Sequence, residues 1–196
     1  MRSFHSYGYS LLELIFATAL ATTLTAAAVP ESLTALGEYR AAGAARYVAS
    51  RVARVRMEAV ARSADVGLRF TAAGSDYEYA VYVDGNRNGI RSRDIQRGVD
   101  RQVVPPERLA DQFPGVAFGV LPGLPPVDAG GTPPGIDPIK LGSGNLLTFS
   151  AQGTSSSGSV YIRGQGAAQY VIRVFGETGR TRILKFDARS RQWTTP

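Results

Sequence analysis

Three groups of residues have side-chain types and spacings that could do chemistry. The first is Tyr82-Val-Asp-Gly-Asn-Arg-Asn-Gly89, where Asp84, Asn86, Asn88 and Gly89 fall at positions one, three, five and six of a calcium-loop pattern. Position twelve, which needs a bidentate Glu, is Ile95, with Asp94 one residue early. Cation affinity would therefore be poor. A structural turn, in which the Asn side chains bond their own backbone, is the preferred reading, and no metal is assigned. The second group is the run Arg180, Arg182, Lys185, Arg189 and Arg191, five positive charges against Asp187 alone. Arg180 and Arg182 are two apart on an expected strand and so share a face, which could neutralise phosphates in any sequence, with Trp193 nearby to stack on bases. The same charges also suit a solvated sheet edge that resists strand-to-strand aggregation, and that bland reading is preferred. The third is Glu13, alone in an otherwise apolar run.

Composition closes most enzymatic routes. The 196 residues include no cysteine and one histidine, His5, so thiol nucleophiles, Cys/His zinc sites, disulfides and histidine triads have no place in the remainder. An acid/base pair would have to come from carboxylates such as Asp84 and Asp94, and no catalysis or cofactor is expected. The net charge of +6 rests on 20 Arg against two Lys, a choice that looks compositional, so where the Arg sit matters more than their number.

The elements that must position these groups are legible from periodicity. From Tyr9 to Val29 the one charged side chain is Glu13, and 21 helical residues span roughly 30 Å, a bilayer's hydrocarbon thickness. A membrane span is expected at 9–29. A secretory signal peptide cut near Ala26-Ala27-Ala28 is the rival, but the run is long for one and a Glu near its entry is out of place. After Pro30, Val48, Val52, Val55 and Ala59 recur at four, three and four, an amphipathic pattern extending to Arg62. Pro30 kinks but need not end a helix running on through 30–62. From Val66 the period changes to two, in runs such as Tyr77–Val83, Gln102–Val104, Val116–Val120, Leu146–Ser150, Ser159–Arg163, Tyr170–Phe175 and Arg182–Phe186. The class is α+β: a long kinked N-terminal helix packed on a C-terminal antiparallel β domain, 66–196. Nine of eleven prolines lie in 104–144, which predicts a surface insertion in extended conformation.

Gly8-Tyr9-Ser10-Leu11-Leu12-Glu13 resembles the type IV prepilin processing motif, with residues 1–8 as leader and Pro30 where pilins often kink. The resemblance implies cleavage after Gly8 by a prepilin peptidase and N-methylation of Tyr9. It further implies that Glu13 pairs with the N-terminal ammonium of a neighbouring subunit, which offsets the cost of about 2.5–3.5 kcal/mol of placing a carboxylate in a bilayer. Gly8 itself offers a peptidase an unhindered backbone. Three further landmarks follow in order: the Asp84-x-Asn-x-Asn-Gly turn, Phe149-Ser-Ala-Gln-Gly153, and Gly179-Arg-Thr-Arg182. They resemble the GspH/FimT family of minor pseudopilins and pilins. That family implies a pilin-like fold and a single-pass protein of the bacterial inner membrane with a periplasmic β domain. It also implies assembly with other major and minor pseudopilins or pilins in a type II secretion pseudopilus or, alternatively, in a type IV pilus that captures DNA through the Gly-Arg-x-Arg strand. The segment Pro105–Pro138 and the tail after Phe186 depart from the pattern.

Overall fold

The computed structural model describes residues 8–142 and 144–196 and is α+β. Of the expected leader, 1–8, residues 1–7 lie outside the described residues. One helix, α1, runs Leu11–Arg62, starting two residues later than the apolar run and passing through Pro30. Contacts divide the chain between Leu36 and Gly37 into two units.

In the first unit every side chain described is exposed. The window is apolar enough to cross a membrane by length and composition. Its hydroxyls are satisfied locally: Thr18, Thr22, Thr23 and Thr25 each donate to the carbonyl four residues back, at 2.7–3.0 Å. These bonds give each of the four hydroxyls an acceptor within the helix itself.

The second unit opens with the rest of α1. Its buried face is Gly37, Ala41, Ala44, Ala45, Val48, Val52, Val55 and Ala59, the four–three spacing that one stripe of an α-helix demands. The small residues at the start of the stripe permit close approach: a Cβ on Gly164 would lie 2.7 Å from that of Ala41. Two antiparallel sheets complete the unit. The first has the order β3 (Arg101–Arg108), β2 (Asp76–Val83), β1 (Val66–Ala73), β6 (Leu146–Phe149). The second runs β10 (Gln192–Thr194), β9 (Arg180–Asp187), β8 (Gln169–Phe175), β7 (Gly158–Arg163), β4 (Ala117–Phe118), with β5 (Ile139–Leu141) also on β7. Leu68, Phe70, Tyr79, Val81, Leu147 and Phe149 from the first and Val160, Ile162, Tyr170, Ile172 and Val174 from the second meet the α1 stripe in one core.

The proline-rich segment departs from expectation. Residues 104–144 are not a surface excursion, because Leu109, Val116, Phe118, Ile139 and Leu141 enter the main core. The segment also supplies the end of β3, the short helix α2 (Leu109–Gln112), β4 and β5. Pro105 and Pro106 sit in β3, an edge strand, where their missing N–H groups disturb no central ladder. Residues 120–127 cross the outer face of the second sheet, where Leu124, Tyr161, Val171 and Leu184 form a second core with Phe186 and Trp193 against it. The expected strand 116–120 shrinks to the two residues of β4, and the tail after Phe186 adds β10, pairing Trp193 with Phe186.

Candidate assembly stem and basic surfaces

Ser10 occupies the N-cap of α1, its hydroxyl accepting the Glu13 N–H at 3.2 Å. The sequence Ser10-Leu-Leu-Glu13 is the S-x-x-E pattern of a capping box, a signal the reading from pilin resemblance overlooked. Only half of the box forms. Glu13's carboxylate has no hydrogen-bond or ion-pair partner among the described residues, so it is available for a partner from outside them. Gly8 and Tyr9 precede the helix in exposed, non-helical backbone.

The basic run at the C-terminus does not form one strip. Alternation along β9 places Arg180 and Arg182 with Leu184 on the outer face, while Lys185 lies on the opposite face and binds Glu38 of α1 at 2.9 Å. That hydrogen bond raises the Lys185 pKa above its ordinary value. Arg191 donates to the Gly123 carbonyl at 3.2 Å, and Trp193 donates its indole N–H to Pro125 O at 3.1 Å while packing 5.4 Å from Phe186. Trp193 is thus a prop beneath the proline-rich cover, and its ring is not free to stack on bases. Arg180 and Arg182 remain exposed, Arg182 opposite Arg173 and Arg180 opposite Phe175 in the β8–β9 register. Arg182 holds the Thr195 hydroxyl at 3.4 Å, and Arg189 is exposed.

The Asp84 turn is built on backbone donors. Asp84 Oδ1 accepts from the amides of Asn86 and Arg87 at 2.9 and 2.8 Å, and Oδ2 from Gly89 at 2.7 Å. Partial burial raises the Asp84 pKa, but these amides outweigh it and hold the carboxyl below its usual range. Asn86 accepts the Asn88 amide, and Asn88 in turn donates to Asp94 at 3.1 Å. Gly89, at φ 82°, adopts the left-handed conformation the turn requires. This is the side-chain-to-backbone bonding a structural turn needs. No group of three His, Cys, Asp or Glu suited to a metal occurs among the described residues.

A polar cluster that no motif announced ties α1 to the first sheet. Glu107 accepts from Tyr47 at 2.8 Å and Tyr79 at 3.0 Å, and pairs with Arg51, while Gln112 donates to Tyr47. Its members are up to 65 positions apart in sequence, so spacing could not reveal it.

No family model matches the chain, and no curated protein matches it. Among solved structures, the minor pseudopilin EpsH from the type 2 secretion system of Vibrio cholerae is similar at 15% identity and a TM-score of 0.46. The match covers 74% of this chain and 97% of that one.

Proposed function

We propose that this chain is a minor pseudopilin, a non-enzymatic structural subunit of a type II secretion pseudopilus. In this reading a prepilin peptidase removes residues 1–8, Tyr9 is N-methylated, and the segment to Val29 anchors the protein in the inner membrane with the β domain in the periplasm. Pro30 gives the stem its bend. Major and minor pseudopilins are its partners.

The observation that carries the reading is the lone carboxylate of Glu13. It sits in the first turn of an exposed apolar helix of membrane length, with no partner among the described residues, while Ser10 meets the capping need. A bilayer makes such a group costly, and an ammonium brought by a second subunit resolves the cost. Glu13→Ala should leave the protein in the membrane fraction but abolish its crosslinking to sister pseudopilins. Undiminished crosslinking would refute the assembly role.

A second reading, a FimT-like minor pilin that binds DNA through β9, is favoured by the outward exposure of Arg180 and Arg182. It rests on those two and Arg189, since Lys185 and Arg191 bind Glu38 and Gly123.

A further inference from the structure

A second group of unpaired positive charges lies away from the C-terminal strand, in the connection between β2 and β3 and at the first residue of β3. Arg87, Arg91, Arg93, Arg97 and Arg101 fall within 84–101, and all five are exposed. None of their guanidinium groups has an ion pair or hydrogen bond among the described residues.

The acids of the same segment are turned inward to hold its shape. Asp84 accepts three backbone amides, as described above. Asp94, 8% exposed, accepts from the Asn88 side chain, and its backbone carbonyl accepts the amides of Val99 and Asp100. Asp100, 2% exposed, accepts from the amides of Gly85 at 3.3 Å and Arg91 at 3.0 Å. The connection is therefore stapled by its carboxylates, and its guanidiniums are left to solvent. Arg87 holds this position with φ at 63°, a left-handed conformation uncommon for a residue with a long side chain. The apolar residues Ile90, Ile95 and Val99 are buried or half-buried.

The geometry points to a nucleic-acid site: we propose that this stapled connection binds duplex nucleic acid through its phosphates, without reading sequence. A protein partner would call for an apolar or aromatic centre to the contact, and the connection exposes none. Scattered carboxylates facing solvent-exposed Arg yield little. A duplex backbone instead presents about one charge per 1.7 Å, and its affinity comes from counterion release, for which five unpaired cations on a preformed support suffice. The site is on the first sheet and independent of β9, so it stands or falls separately from both functional readings above.

The test uses the full chain in non-ionic detergent micelles with a fluorescent mixed-sequence DNA duplex, titrated between about 50 and 200 mM salt. Wild type should bind, with affinity falling steeply as salt rises. Arg91→Ala/Arg93→Ala/Arg97→Ala should lose at least about tenfold in affinity at the lower salt and flatten the log–log salt slope by up to about 3. The corresponding triple Lys variant should retain binding, because point charges serve phosphates, and both variants should melt as wild type does. Arg180→Ala/Arg182→Ala, run in parallel, should leave most of the affinity in place. Absence of wild-type binding at the lower salt would overturn the proposal, as would loss confined to the Arg180/Arg182 variant. Competition by polyglutamate or anionic lipid vesicles as effective as by unlabelled duplex, at equal charge, would assign the site to acidic protein or membrane instead.

Discussion

At the scale of single residues, Glu107 is the polar link between the helix and the first sheet, through Tyr47, Arg51 and Tyr79. Burial alone would raise its pKa, but the hydroxyls of Tyr47 and Tyr79 and the Arg51 guanidinium outweigh burial and hold it below the usual carboxylate range. A carboxylate with a depressed folded pKa contributes stability that is complete above its unfolded value, about 4.3, and is lost as pH falls through the lower folded value. Glu107→Gln should therefore cost about 2 kcal/mol near pH 7, where the charged acceptor is missed by Arg51 and two phenols. It should also show a shallower loss of stability on acidification below about pH 5 than wild type. Urea unfolding of both proteins across that range measures each effect, and parallel pH profiles would contradict the assignment. Burial of the Tyr79 phenol beside Glu107 raises its pKa, so it remains a donor throughout this range. None of this was legible beforehand, because Tyr47, Tyr79 and Glu107 meet only through tertiary pairing. Ser10, by contrast, was readable from the S-x-x-E spacing.

At the scale of elements, periodicity was sufficient where one face is buried and the other wet. The α1 stripe at Val48, Val52, Val55 and Ala59 and the alternation in β2, with Tyr79 and Val81 in the core, were both visible in the sequence. The proline-rich segment was misread because proline content reports the lack of ladder donors and says nothing of burial. Besides the apolar contacts of that segment, Gln169, fully buried in β8, ties residues 119–121 to the second sheet. The two hydrogens of its amide are shared among the carbonyls of Gly119, Ile162 and Tyr170, 3.0–3.1 Å from the nitrogen, and its oxygen accepts the Leu121 amide at 2.9 Å. Gln169→Leu keeps comparable bulk but leaves the Leu121 amide and the three carbonyls without this partner, a cost of about 2–4 kcal/mol. At roughly 2–4 °C per kcal/mol for a chain of this size, the melting temperature should fall by about 5–15 °C, with faster hydrogen exchange at Leu121. An unchanged melting temperature would mean that the cover is held by its apolar contacts at Leu124 and Trp193 alone. The split of the C-terminal basic run has the same lesson: two-residue alternation was applied to Arg180 and Arg182 but not carried on to Lys185, which it sends to the helix side.

At the scale of the whole molecule, the chain joins an apolar helical segment of membrane length to a β domain whose core is completed by the second half of that helix. The threonine hydroxyls of the apolar segment, at 18, 22, 23 and 25, bond its own carbonyls, while the Glu13 carboxylate has no partner among the described residues. An assembly stem, a plain anchor and a secretory signal differ in where the chain is cut. The decisive measurement is the intact mass and N-terminal sequence of the protein extracted from the membrane of the cells that make it. The account predicts a chain that begins at Tyr9 with a single methyl group on its amine. A chain beginning at Met1, or one cut after Ala26-Ala27-Ala28 and recovered without its apolar segment, would contradict it.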